Sequence, residues 1–246
     1  MKGPFSSSDI LTKGTFPKID AHVHTNWTDG RNTFEEYAIR AAELGLEAIA
    51  FTEHTDDGSL WFNDYVRIRE RIRELAAPVK VYFGAEVKVS RPDGTLSLNP
   101  EKIKQLDFVM GVLHRYPDGT GGFHAFRDLS AQEAQDIDFT LSKALLLNPL
   151  IDVWGHPGGV YATYFGAYQE DMLSELISLA VREGKVIEIN TKHRYRPVLD
   201  VIMRECSMHD CLISIGSDAH EVGELGEAHS ILEDIGRRRL VLQDNC

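Results

Sequence analysis

The stretch Asp20-Ala-His22-Val-His24-Thr-Asn-Trp-Thr-Asp29-Gly30 decides the fold of this chain. It follows a short apolar run and has the pattern of a first β-strand that ends in a loop. Side chains two residues apart on a strand point to the same face, so His22 and His24 project together, with Asp20 behind them. Two neighbouring imidazoles form half of a transition-metal site, and Asp20 is a candidate hydrogen-bond partner for one of them.

The composition is that of an ordinary globular protein, with 43 % hydrophobic and 26 % charged residues in a chain of 246. This length is typical of a β/α barrel. The formal net charge of −12 argues against avid binding to nucleic acid or to anionic membranes. No run has the apolar length of a membrane span or of a signal core, and the three cysteines form no Cys-x-x-Cys pair. We therefore expect a cytoplasmic protein without membrane contact or a disulfide framework, and its oligomeric state stays open.

Strand-like and helix-like segments alternate along the chain, which favours an α/β fold with a parallel sheet. The predicted strands are 18–24, 48–52, 79–89, 108–113, 151–154, 186–190 and 212–217. The predicted helices are 33–45, 60–77, 130–147, 169–183, 197–209 and 222–236. We expect residues 1–17 to form an irregular lead-in, residues 18–246 to form one barrel domain, and the last residues to form a tail or a short final strand.

The ends of the predicted strands carry most of the histidines. In a β/α barrel these ends meet at one face, where active sites lie. They carry, in chain order, His22, His24, His54, Glu86, His114, His156, Asp218 and His220, with Asp29 in the first loop. So many polar groups at one barrel mouth would be hard to satisfy without ligands. Imidazoles and carboxylates without thiolates suit zinc, iron or manganese, and the choice among them stays open.

The order of the motifs is similar to that of a known family. Asp-x-His-x-His-Thr with a following Asp-Gly, then Thr-Glu-His, Gly-x-Glu, a strand-end His, Gly-His-Pro and Ser-Asp-Ala-His occur between residues 18 and 229. This series resembles the polymerase-and-histidinol-phosphatase (PHP) family of metal-dependent phosphoesterases. The resemblance implies a distorted seven-stranded (β/α)7 TIM-like barrel and three divalent metal ions.

The resemblance also implies which residues bind each metal ion. The first ion would have His22, His24, Glu86 and Asp218; the second Glu86, as the bridge, with His114 and His156; and the third Asp29, His54 and His220. Among them, we expect Glu86, Asp218, His220 and Asp29 to act in catalysis.

The expected reaction is hydrolysis of a small phosphomonoester, for which histidinol phosphate is the best-known candidate. Divalent ions can share a hydroxide, lower its pKa and clamp phosphoryl oxygens. We expect a hydroxide between the first two ions to attack phosphorus, while the third ion binds the phosphate. Lys192, Arg194, Arg196 and Arg115 follow strand ends and are candidate phosphate ligands, because guanidinium and ammonium groups suit that anion. Trp27, Trp61 and Phe123 are either pocket or packing residues.

Three alternatives stay open. One is a phosphodiesterase or a nuclease for short oligonucleotides within the same family. Another is a non-catalytic, metal-binding regulatory module. The third is an amidohydrolase-type barrel, which shares the early His-x-His and the late Asp. That family typically adds a metal-bridging lysine, whereas Glu86 takes the bridging position here, and His54 and His220 would have no role.

Overall fold

A computed structural model describes residues 2–243 of the chain, with side chains up to residue 237. The strands are β1 (Phe5–Ser7), β2 (Ile19–Val23), β3 (Ala48–Phe51), β4 (Lys80–Phe83), β5 (Ala85–Lys88), β6 (Val109–Val112), β7 (Val153–Trp154), β8 (Val186–Asn190) and β9 (Leu212–Gly216). The helices are α1 (Ile10–Lys13), α2 (Phe34–Leu44), α3 (Phe62–Ala76), α4 (Pro100–Ile103), α5 (Ala131–Leu146), α6 (Gly159–Phe165), α7 (Glu170–Arg182), α8 (Arg196–Ser207) and α9 (Glu227–Gln243).

The strands form two sheets that adjoin each other. One has the order β1-β9-β8-β7-β6-β5 and the other the order β2-β3-β4. Strands β2 to β9 pair in parallel wherever they pair with one another. Isolated parallel bridges between Val23 and Ala219, and between His54 and Glu86, join the two sheets on both sides. The predicted α/β class with a parallel sheet is confirmed, and the two bridges agree with a distorted barrel.

The predicted strand 79–89 is split at Gly84. Its first half, β4, pairs with β3, and its second half, β5, pairs with β6 in the other sheet. A Cβ atom at Gly84 would lie 2.8 Å from the Phe108 ring, so only glycine allows this close approach. The Tyr65 hydroxyl lies 2.7 Å from the Gly84 carbonyl and 3.0 Å from that of Phe51, and it satisfies backbone groups where the pairing changes.

Both ends of the chain differ from the expectation. The lead-in is not irregular, because β1 pairs antiparallel with β9 and α1 follows it. The predicted helix 222–236 is divided. A 3₁₀ turn covers Val222–Glu224, and α9 begins only after Gly226, whose φ of +79° ends the turn. Helix α9 then continues to Gln243 in place of a tail or strand, and residues 244–246 lie outside the described part of the chain.

Local signals fix several helix starts. Thr33 and Ser130 cap α2 and α5 with reciprocal capping boxes through Glu36 and Glu133, as their spacing predicts.

The helices pack their apolar faces on the sheets in two large clusters of buried side chains. A third, smaller cluster contains Ala21, Ala50, Met110, Val153 and Val186 from five different strands. Within residues 2–243, no helix has both the length and the apolar character that a membrane crossing requires.

Candidate metal centre

A register shift in β2 aims His22 and His24 into the site. Asp20 pairs with Ile49 and Val23 pairs with Phe51, so three residues of β2 match two of β3. Paired residues on neighbouring strands point their side chains to the same face of the sheet. One extra residue in a strand therefore reverses which of the following side chains point to that face. Asp20 therefore lies on the opposite face from the two histidines. Its carboxylate accepts hydrogen bonds from Ser217 and from the Gly226 amide, which corrects the expectation that it binds a histidine.

Four buried side chains meet at the end of β2. The Nε2 atoms of His22 and His24 lie 2.9 Å apart, and each lies 3.6 Å from an oxygen of Glu86. Asp218 Oδ1 lies 3.7 Å from His22 Nε2 and 3.5 Å from His24 Nε2. Ligands at about 2.0–2.2 Å from one tetrahedral ion lie about 3.3–3.6 Å from each other. These four donors therefore have the spacing of ligands around a single small cation.

Glu86 connects this group to further histidines. Its Oε1 atom lies 3.2 Å from His114 Nε2 and 2.9 Å from His156 Nε2. Its Oε2 atom lies 2.5 Å from His54 Nδ1, with no well-aligned hydrogen bond. The carboxylate itself is buried. A buried carboxylate that faces five imidazoles suits a ligand that bridges cations.

A third group forms around Asp29. Its Oδ2 atom lies 3.2 Å from His54 Nε2 and 3.3 Å from His220 Nε2. The His24 ring lies near both of these histidines, with its centroid 4.4 Å from that of His54 and 4.7 Å from that of His220. His24, His54 and His220 present donor atoms within 4.8 Å of one another. The structure thus brings together all nine ligand candidates, the eight at the strand ends and Asp29 in the first loop.

Two of these residues have an unusual backbone conformation. His156 has φ of +27° and Asp218 has φ of +57°, a region that residues other than glycine rarely adopt. Such strain persists only where the surrounding structure enforces it, and it is frequent at functional sites. The His156 amide donates to Glu188 Oε2 at 2.5 Å, and this hydrogen bond holds the strained residue in place.

Sequence reasoning missed two buried carboxylates that support the ligands. Glu188 on β8 accepts a hydrogen bond from His22 Nδ1 at 2.6 Å. Glu53 accepts one from the Thr25 amide at 2.8 Å and another from the Thr28 hydroxyl, which together hold the loop that carries Asp29. Burial raises the pKa of Glu53 to about 7, although these hydrogen bonds oppose the shift. Glu188 could have been found from the sequence, because it is an acidic residue inside the otherwise apolar run 186–189.

Charge within the centre is unevenly distributed over the imidazoles. Burial disfavours the charged form of His22, but Glu188, Asp218 and Glu86 outweigh it and raise the His22 pKa to about 10. The pKa of His24 is well below its usual range because of burial and the adjacent histidines. The Nδ1 atom of His24 is buried without a hydrogen-bond partner. Such a set of donors requires positive charge among them, and divalent cations would supply it.

The four basic candidates separate into two groups. Arg194 lines the cleft of about 240 Å³ over the ligands, and its Nη2 atom lies 3.0 Å from Asp218 Oδ2. Arg115 lines an adjoining cavity. Lys192 donates to the Asp218 carbonyl at 2.8 Å and to Glu224 at 3.1 Å. Lys192 and Arg196 line a different cavity, which Arg194 also lines, and neither of them lines the cleft over the ligand candidates.

Comparison with known proteins gives the family of this chain. Residues 20–192 match the family model described as PHP domain. The chain belongs to the PHP-domain family. This membership confirms the resemblance drawn from the motifs and, with it, the expectation of a metal-dependent phosphoesterase.

Two curated relatives in this comparison are described by different activities. A "probable phosphatase" of Caldicellulosiruptor bescii is 27 % identical over 225 residues, which cover 86 % of this chain and 83 % of the relative. The DNA polymerase/3'-5' exonuclease PolX of Bacillus subtilis is 21 % identical over 225 residues, or 85 % of this chain and 35 % of PolX.

A solved structure shows the same fold. The protein from Listeria monocytogenes described provisionally as histidinol phosphatase hisK superimposes with a TM-score of 0.69 at 17 % identity. The match covers 87 % of this chain and 99 % of the Listeria protein. At this identity the likeness concerns the fold, and it agrees with the predicted PHP architecture.

Proposed function

We propose that this PHP-family protein hydrolyses small phosphomonoesters at a centre of three divalent metal ions. The observation that carries the proposal is the position of Glu86. Its buried carboxylate contacts His114 and His156 through Oε1, and His54 through Oε2. The same carboxylate also lies beside the donor group of His22, His24 and Asp218.

The proposed assignment gives each ion a separate donor set. The first set is His22, His24, Glu86 and Asp218, the second Glu86, His114 and His156, and the third Asp29, His54 and His220. Bound ions would supply a hydroxide nucleophile near neutral pH and would neutralise phosphoryl oxygens. Zinc, iron and manganese all suit these donors.

Residues at the cleft would position the substrate. Arg194 lies at the cleft beside Asp218, and half of its side chain is exposed, so its guanidinium is free to turn towards a phosphoryl group. The ring of Tyr195 stacks on His156 with centroids 5.1 Å apart and closes the cleft on that side. Asp29 and His220 also line the cleft.

The test combines metal analysis with phosphate release from the same preparation. Reconstitution with Zn²⁺, Mn²⁺ or Fe²⁺ should give two to three ions per chain and release of phosphate from a panel that includes histidinol phosphate, neutral monoesters and diesters. Glu86→Ala should lose both bound metal and turnover, because every donor set adjoins this carboxylate. Glu205→Ala, which removes a glutamate on α8 far from the centre, is the control. Full turnover in Glu86→Ala, or metal binding without release from any ester, would overturn the proposal.

A further inference from the structure

A cavity of about 480 Å³ opens beside the metal centre. It shares His54, Glu86 and His114 with the cleft that contains Arg194. Because these three side chains face both spaces, a phosphoryl group at the centre can place its ester substituent in the cavity. The residues that line the cavity beyond the ligands should therefore decide which substituents are accepted.

The charges of this cavity are predominantly positive once the ligands are set aside. Its lining contains Lys88, Arg115 and a single carboxylate, that of Asp56. Asp56 already accepts a hydrogen bond from the Gly58 amide at 2.9 Å and lies 3.6 Å from Lys88 Nζ. Arg115 forms no ion pair with any of the described residues. The cavity thus presents one cation whose charge is not balanced by the protein.

Arg115 is held in this position by an aromatic side chain. Its guanidinium carbon lies 5.6 Å from the centroid of the Phe123 ring. Phe123 also lines the cavity and leaves 41 % of its surface exposed, so its ring is open to a molecule in the cavity. A guanidinium over an aromatic face keeps its in-plane donors free for an anion.

The loop that carries Phe123 is itself well anchored. A bridge pairs Pro117 with Phe123, and the His124 amide donates to the Tyr116 carbonyl at 2.9 Å. Asp118 accepts hydrogen bonds from the amides within the turn, at 2.8 and 3.0 Å. The glycine-rich segment therefore forms a tight hairpin that keeps the arginine and the aromatic ring at the wall of the cavity.

We propose that this cavity binds the ester substituent of the substrate and selects substituents with an anionic group, either a carboxylate or a second phosphate. The inference rests on the proposed phosphomonoesterase function. A terminal amine would meet Arg115 and Lys88 with like charge, whereas an anion would form charge-assisted hydrogen bonds with Arg115. Histidinol phosphate, whose substituent carries an amine, is then a poor substrate for this chain.

The experiment uses one series of substrates that differ only at the end of a short chain. The series is n-propyl phosphate and its analogues with a terminal amine, a terminal carboxylate or a terminal phosphate. With the metal-loaded protein, kcat/KM should be at least tenfold higher for the carboxylate and phosphate esters than for the amine, with the difference mainly in KM. The corresponding non-hydrolysable phosphonates should show the same order in Kd by calorimetry.

Variants of the protein test whether Arg115 causes the preference for anionic substituents. Arg115→Glu should reverse the order of the carboxylate and the amine, and Arg115→Lys should keep it in weaker form. Arg127→Glu is the matched control, because Arg127 follows the same loop but lines neither space. It should keep the order of the parent protein.

The outcomes separate the two proposals. Equal kcat/KM across the series, or preference for the amine, would overturn the anionic selectivity while leaving the phosphomonoesterase function in place. The same preference in Arg115→Glu would remove this cavity from substrate selection. No turnover of any ester by metal-loaded protein would overturn the proposed function and this inference with it.

Discussion

Glu188 Oε1 lies 2.6 Å from His22 Nδ1, and both side chains are fully buried. This contact keeps a proton on Nδ1 of His22, so Nε2, which faces His24, Glu86 and Asp218, is the nitrogen that would bind a metal ion after it loses its own proton. The other oxygen of Glu188 accepts the amide of His156, so a single carboxylate orients ligand residues in two donor sets. Residues that orient metal-bound histidines in this way affect metal affinity nearly as much as ligands do.

Substitution of Glu188 by Gln should therefore weaken metal binding about 10- to 100-fold, because glutamine has one acceptor oxygen in place of the two that Glu188 presents to His22 and to the His156 amide. The measurement is competition with a chromophoric chelator, together with the KM for a monoester at saturating metal. KM should change little, since Glu188 does not line the cleft. Glu205→Gln, at another glutamate with little exposed surface, is the control. Unchanged metal affinity in Glu188→Gln would contradict this role.

Gly216→Ala tests whether the contact between Glu188 and His22 requires the absence of a side chain at residue 216. A Cβ atom at residue 216 would lie 2.5 Å from His22 Cβ and 2.7 Å from Glu188 Oε1. Overpacking of this kind costs about 1–3 kcal/mol of unfolding free energy, and here it should also lower metal content. Denaturant unfolding and elemental analysis measure the two effects.

Gly223→Ala provides the comparison, because nothing lies within 4 Å of its added methyl group and its φ is not in the left-handed region. It should leave stability and metal content close to those of the parent. Equal behaviour of the two alanine variants would show that the close approach at residue 216 is unimportant.

Arg194→Ala should raise the KM for a phosphomonoester about 10- to 100-fold, since a hydrogen bond to a charged group contributes about 1.5–3 kcal/mol. Metal content should stay that of the parent, because Arg194 contacts Asp218 from outside the donor set. Steady-state kinetics and elemental analysis measure this. Arg196→Ala is the control in the same segment, since Arg196 does not line the cleft. Equal KM values for the parent and Arg194→Ala would remove Arg194 from phosphate binding.

The buried carboxyl group of Asp138, which is not one of the proposed metal ligands, should make the stability of the folded protein depend on pH. Burial raises its pKa to about 6, although hydrogen bonds from the Tyr116 and Ser142 hydroxyls and the charge of His156 oppose the shift. The folded protein thus holds this proton more tightly than the unfolded chain does. Its contribution to stability is greatest below the unfolded pKa of 3.8 and declines as pH rises to about 6, by about 3 kcal/mol in all.

Asp138→Asn removes this titration. The unfolding free energy of the parent minus that of Asp138→Asn should fall as pH rises from about 4 to about 6, with both proteins in excess chelator. Urea unfolding at a series of pH values gives the difference. Asp136→Asn, at an exposed position on the same helix, should follow the parent throughout. A constant difference between the parent and Asp138→Asn would contradict the raised pKa.

The sequence alone determined the class of fold, the family and the set of ligand candidates. Parallel strands place their carboxyl ends at one edge, so polar residues that follow each predicted strand must meet there. This reasoning needs only the positions of His54, Glu86, His114 and the other strand-end residues along the chain. The helix caps at Thr33 and Ser130 were equally accessible, because they depend on local spacing.

The groups that support these candidate ligands are set by the tertiary structure. The register shift in β2 turns Asp20 away from the histidines, and no local pattern encodes a register that depends on the partner strand. Glu188 reaches His22 across 166 residues of sequence, because β8 and β2 flank β9 in the closed arrangement of strands. The split at Gly84 depends on strand order in the same way, and so does the position of Arg194, but not of Lys192 or Arg196, at the cleft. Strand order and side-chain packing are long-range properties, and they determine which of several plausible polar residues reach the metal centre.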